Sequence, residues 1–210
     1  MNDVINFLKD NKNFYNEYFI NDRLKKCKYG YTCDINQIYC YLNKINISKT
    51  EYFKFFNLSL DYFDFNNKKI LEVCCGKIPI LSSIYKDYGY NITAIDNQLI
   101  LNNYKDIKLY KADISNENLF KSSDIIVAIR PCDPTDTIIE LCFKFKKSFM
   151  IYLCPCIHNS HNGKKFQSYN EWILYLKNKI YSNKNYKCDF LICSDFPDDC
   201  YIIIAKTIAS

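Results

Sequence analysis

Four clusters of residues have types and spacings that could do chemistry. The stretch KILEVCCGKIPILSSIYKDYGYNITAID, residues 69–96, runs as a strand, a tight loop, a helix and a second strand that closes on the carboxylate of Asp96. A nucleotide-binding unit begins in this way. Its loop, Cys74-Cys75-Gly76-Lys77-Ile78-Pro79, holds one glycine, so Gly76 alone supplies both a left-handed backbone and room for a ligand to approach. Ile78 is β-branched and precedes proline, which drives it to extended backbone. The turn is therefore expected to close at Gly76-Lys77, with Pro79 opening the helix. A second cluster, Arg130-Pro131-Cys132-Asp133, follows the apolar run DIIVAI. Arg130 can fix an anion and Asp133 can accept a proton; the competing structural roles are an ion pair for Arg130 and a helix cap for Asp133.

The third cluster, CPCIHNSH, gathers Cys154, Cys156, His158 and His161, including both histidines of the chain. Four such ligands suit tetrahedral zinc. One residue separates the cysteines, however, where a zinc knuckle has two, and Pro155 removes a ladder donor between them. No metal is expected on this reading; the segment is the end of a strand and a loop whose histidine contacts substrate or serves as a base. The fourth cluster is RLKKCK, with Arg23, Lys25, Lys26 and Lys28 followed by Tyr29 and Tyr31. These side chains could touch RNA phosphates and bases, but in a lysine-rich chain a solvated helix face explains them as well. The spacing of Cys27, Cys33 and Cys40 matches no recurrent metal pattern.

The elements that position these residues follow from hydrophobic periodicity. From residue 69 onward short apolar runs alternate with amphipathic stretches. Strands are predicted at Lys69 to Cys74, Asn91 to Ile95, Ile107 to Tyr110, Asp124 to Ile129, Ser148 to Cys154, Phe190 to Cys193 and Tyr201 to Lys206. A helix from Pro79 to Tyr88 places Ile80, Leu81, Ile84, Tyr85 and Tyr88 on one face, with Gly89 as its left-handed stop. Another opens at Asp133-Pro134-Thr135-Asp136, with Asp133 as cap and proline in the first turn, and buries Ile138, Leu141, Cys142 and Phe145. Short strand–helix–strand connections imply right-handed crossovers and a parallel sheet covered by helices on both faces. The last two strands are joined by SDFPDD without a helix and should pair antiparallel. Residues 1–64 read as an N-terminal helical cap and residues 65–210 as the main domain.

Length and charge set bounds. The chain has 210 residues, enough for one core. Its net charge of +5 is too mild to announce nucleic acid by itself. The abundance of Asn, Lys, Ile and Tyr is read as codon bias. The start, MNDVINFLKD, is not secretory, and no run reaches the roughly 20 apolar residues of a membrane span. A cytoplasmic chain is expected, with its 12 cysteines reduced and several of them, such as Cys142, Cys193 and Cys200, serving as core residues.

At these positions the chain resembles the class I S-adenosylmethionine-dependent methyltransferases, over roughly residues 65 to 206. ILEVCCGKIP is similar to their first motif through Glu72, Val73, Cys75 and Gly76, with Cys74 and Ile78 standing where glycines are usual. Asp96 matches the acid that pairs with the ribose hydroxyls, an acid suited to a diol by hydrogen bonding. Asp113, in LYKADIS, matches the acid that faces the adenine. The resemblance implies a Rossmann-like, doubly wound, mostly parallel seven-stranded α/β sheet ending in an antiparallel hairpin. It also implies S-adenosylmethionine as cofactor, held by Glu72, Cys74, Cys75, Gly76, Asp96, Asn97, Asp113, Ile114 and Arg130. Arg130 and Asp133 are then the candidate catalytic residues, where an acceptor would meet the methyl group. Enzymes that methylate adenine or glutamine nitrogens carry Asn or Asp, Pro, Pro, aromatic at this step; Arg130-Pro131-Cys132-Asp133 keeps only the first proline. An oxygen, sulfur, carbon or small-molecule amine is left as acceptor. A small molecule is favoured over RNA; the rivals are a non-catalytic nucleoside-binding or partner-binding protein of the same fold, and an RNA methyltransferase.

Overall fold

A computed structural model of the chain describes residues 50–193 and 200–208. The basic run at 23–28, Cys27, Cys33, Cys40 and the hairpin turn SDFPDD lie outside the described residues, as does the expected cap up to residue 49. The chain enters through α1 (Glu51–Tyr62), continues as β1 (Lys69–Val73), α2 (Ile80–Asp87), β2 (Asn91–Ile95), β3 (Lys108–Tyr110), α3 (Glu117–Ser122) and β4 (Ile125–Ile129), and then as α4 (Thr135–Phe145), β5 (Ser148–Tyr152), α5 (Tyr169–Tyr181), β6 (Tyr186–Cys193) and β7 (Cys200–Thr207). The strands form one sheet in the order β3-β2-β1-β4-β5-β7-β6. Strands β1 to β5 run parallel, whereas β7 is antiparallel to both β5 and β6. This is the seven-stranded α/β sheet with a closing hairpin that the sequence predicts.

The central strands β1, β4 and β5 are interior because their residues are apolar on both faces, as a sheet covered on two sides requires. In β4 all five residues are buried. Ile125, Val127 and Ile129 face one apolar layer with Phe55, Phe56, Ile80 and Leu81 from α1 and α2. Ile126 and Ala128 face the other with Ile138, Trp172, Leu176 and Ile180 from α4 and α5. Opposite burial of neighbours is the period-2 alternation of the pleat, and truncating Ile126 to alanine should cost about 2–5 kcal/mol.

Local signals set the helix ends. Thr50 is extended and its hydroxyl accepts the Phe53 N–H at 3.4 Å, and Ser168 does the same for the Glu171 N–H at 3.1 Å, so both are side-chain N-caps. Gly89 is left-handed, φ +84, as predicted after α2. Three local expectations are corrected. Tyr88 is 56% exposed, and among the described residues the rings of Phe53 and Phe56 of α1 lie against its ring. Asp133 does not cap α4: Pro134 occupies that position with no side-chain bond, and the Asp133 carboxylate is drawn instead to His158. Pro79 flanks α2 as its cap, one residue before the helix opens at Ile80. No described helix is long and apolar enough to cross a membrane.

Candidate functional site

The carboxyl ends of β1, β2, β3, β4 and β5 share one edge of the sheet, since these strands are parallel. Loops leaving that edge carry the residues singled out above. After β1, Cys74 takes a left-handed conformation at φ +55 and Gly76 another at φ +74. A side chain in that region costs of order 1–2 kcal/mol, so the loop keeps a glycine-like backbone path at Cys74 at the expense of strain. Asp96 holds the loop down. Its Oδ2 accepts the Gly76 N–H at 2.9 Å and its Oδ1 accepts the Gln98 N–H at 2.7 Å, while the Cys75 N–H reaches the Ile95 carbonyl at 3.3 Å.

Glu72 lies beneath the loop, 2% exposed. Its Oε2 accepts the Ser82 N–H at 2.8 Å and the Ser82 hydroxyl, so the carboxylate ties β1 to the first turn of α2, where the helix dipole favours negative charge. Burial raises its pKa to about 7 against the lowering effect of the Ser82 bonds, and the Asp96 charge adds a smaller upward push. Asp113 is exposed after β3 and closes its own turn by accepting the Ser115 N–H at 2.8 Å. Ile114 is buried beside it, and Asn97 is exposed after Asp96. Cys74 stands among these acids. Burial raises its thiol pKa most, followed by Asp96, Cys132, Asp113 and Glu72, so it stays protonated near neutral pH.

The loop after β4 is also strained, with Arg130 at φ +49 and Cys132 at φ +58. Arg130 turns toward α1: its side chain is 8% exposed, and its guanidinium stands 3.0 Å from Glu51 Oε2 and donates to the Tyr152 hydroxyl at 3.1 Å. Of the two roles read from sequence, the ion pair is the one with a visible partner, and Glu51 is a site neighbour that the motif did not indicate. Asp133 is 48% exposed, with Oδ1 3.1 Å from Nδ1 of the buried His158. Cys132 Sγ, Cys154 Sγ and a His158 ring nitrogen all lie within 4.8 Å of one another. Cys154 Sγ is also 2.7 Å from Cys156 Sγ. His161 leaves this group: its ring nitrogen bonds Thr137 Oγ1 at 3.0 Å and its N–H donates to Asp136 at 2.7 Å. Asp136 is itself buried between Tyr175 and Lys179 and serves packing. Of the four residues that the sequence groups, the structure thus keeps Cys154, Cys156 and His158 together, sets His161 apart and brings Cys132 in. The usable signal was topological, since Cys132 and Cys154 each follow one of two adjacent parallel strands.

A depression of about 400 Å³ lies between residues 60–66 and Tyr90. It adjoins the amino ends of β1 and β2, away from this edge.

No family model and no curated protein matches the chain. Among solved structures it is similar to the fibrillarin/Nop5p complex, with a TM-score of 0.55 and 11% identity over 78% of this chain and 83% of that one. It is likewise similar to a candidate rRNA methylase from Clostridium thermocellum, with a TM-score of 0.50 and 11% identity over 74% and 96% of the two chains. Likeness at this level establishes the fold alone, a Rossmann-like α/β fold, and the strand order agrees with it.

Proposed function

We propose that a chain with this fold binds S-adenosylmethionine across the tips of β1, β2 and β3 and transfers its methyl group to a small-molecule acceptor. The observation that carries the reading is the clamp of Asp96 on Gly76, which preserves a cofactor-type loop although Cys74 and Ile78 replace two glycines. The residues present fit that group. Each Asp96 oxygen accepts one backbone N–H and keeps a lone pair for a sugar hydroxyl. Asp113, exposed beyond β3, is assigned to the base. The negative potential of Asp96 and Asp113 suits a sulfonium cation.

When bound, the cofactor supplies an electrophilic methyl, and displacement in line requires little of the protein beyond alignment and removal of a proton. Gly76 and Cys74 would border the methionine portion, with Cys75, Asn97 and Ile114 packing about the loop and the adenosine. Asp133, half exposed at the end of β4, is the group available to take a proton from an acceptor. Arg130 would act by fixing the loop after β4 to α1 and Tyr152. The segment 1–64, of which α1 is described, is assigned as the cap over the acceptor. The mild charge of +5 and the absence of the nitrogen-methylating tetrapeptide support a small molecule rather than RNA.

Calorimetric titration with S-adenosylmethionine tests the reading. Wild type should release or absorb heat on binding, Asp96→Ala should weaken affinity about tenfold or more through lost sugar contacts, and Asp113→Ala should weaken it while leaving the Gly76 clamp intact. A wild-type titration without heat, repeated at a second temperature to exclude a vanishing enthalpy, would leave a non-catalytic scaffold of this fold.

A further inference from the structure

The loops after β4 and β5 bring together a set of soft ligands that methyl transfer does not use. Cys132, Cys154 and His158 converge within 4.8 Å, and Cys156 adds a sulfur 2.7 Å from that of Cys154. We propose that Cys132, Cys154, Cys156 and His158 bind one zinc ion, which staples the two loops at the edge of the sheet.

Thiolates with an imidazole are the donor set of a closed, tetrahedral zinc site. Zn–S bonds of about 2.3 Å and Zn–N bonds of about 2.0 Å hold ligand atoms roughly 3.5–3.8 Å apart in that geometry. The three converging atoms stand no more than about one ångström beyond this spacing, and the two sulfurs of Cys154 and Cys156 stand about one ångström inside it. Small side-chain rotations therefore bring Cys132, Cys154 and His158 to the coordinated spacing, and Cys156, whose sulfur abuts that of Cys154, would swing outward to complete the set. Cys154, Cys156 and His158 are each 2–3% exposed, so an ion here would be shielded from bulk water.

Two further features favour an ion over a chance cluster of thiols. Asp133 Oδ1 lies 3.1 Å from His158 Nδ1, which orients the imidazole and assigns Nε2 as the ligating nitrogen; a carboxylate behind a zinc-bound histidine is a recurrent arrangement. Cys132 holds a left-handed backbone, φ +58, and non-glycine strain of this kind persists where the surroundings over-determine it. Each Zn–S bond that forms from a thiol releases its proton to solvent, so the step is balanced by proton release. The assignment does not depend on cofactor binding.

The test uses the full chain, purified with zinc present and without chelator, then desalted. Metal analysis should find about one zinc per chain, falling to about a tenth or less in Cys154→Ser and in His158→Gln, and unchanged in Cys188→Ser, whose thiol lies on β6. Trp172, the chain's single tryptophan, has its ring 6.1 Å from that of His158. Chelator added to wild type should therefore remove the ion and change tryptophan fluorescence together, a readout that needs no variant to fold. Cobalt in place of zinc should show thiolate-to-cobalt charge transfer. The proposal is overturned if wild type carries no zinc and gives no cobalt band, or if zinc persists in Cys154→Ser, which would move the ion to other cysteines. Loss of two titratable thiols without metal would likewise replace it with a Cys154–Cys156 disulfide.

Discussion

At the scale of single residues, Glu72 shows how the site is held. Its carboxyl is buried, bonded to Ser82 and raised to about 7, against an ordinary value near 4.5. Between those two values the native state binds the proton and the unfolded chain does not. Stability must then fall as pH rises through this window, by about 3 kcal/mol in total, and stay level above it. The comparison that isolates the effect is Glu72→Gln, which keeps an acceptor for Ser82 and cannot ionise. The stability of wild type relative to Glu72→Gln, from urea unfolding at pH 4.5 to 8, should decline by that amount; a flat difference would show that Glu72 is solvated or ionised throughout. Cys74 is the residue whose part was least visible in advance. Its identity hides a glycine-type conformation, φ +55, which a sequence pattern cannot report because the pattern records side chains and the loop preserves backbone angles.

At the scale of elements, α1 is fastened to the site by an ion pair rather than by apolar packing alone. Glu51 is its first residue, and both Glu51 and Arg130 side chains are under a tenth exposed. Removing one partner of a buried pair leaves an uncompensated charge, so Glu51→Ala should cost about 3 kcal/mol. Replacing both, as Glu51→Ala with Arg130→Met, should recover most of that loss in urea unfolding. If the double variant is no more stable than the single, the pair is not the source of the cost. Most strand positions were legible because their apolar runs are short and bounded. β6 was read too short, at Phe190, because its opening residues Tyr186, Lys187, Cys188 and Asp189 mix polar and apolar types, as an edge strand with one solvated face permits. The contacts Glu51 to Arg130, Asp133 to His158 and Cys132 to Cys154 were not legible. Each joins loops or elements remote in sequence, and local periodicity holds no record of which loops meet.

At the scale of the whole molecule, the sheet order carries a dependence between its parts. β7 pairs with β5 along Phe149 to Tyr152 and with β6 along Tyr186 to Cys193, and Ile202, Ile203 and Ile204 are buried within it. A chain cut before residue 200 loses this shared partner and exposes the edges of both neighbours. Such a chain should melt without a cooperative transition in circular dichroism and should associate in solution, as unpaired strand edges do. A sharp melt close to that of the full chain would show that β1 to β5 suffice. The same order has a consequence during synthesis. While residues 200–207 are still unmade, the strand that joins β5 to β6 does not yet exist, and β6 lacks its partner in the sheet. The nascent protein must carry an unpaired edge on β5 past the point at which β1 to β5 are complete, so the interval before closure is when chaperones would have most to protect.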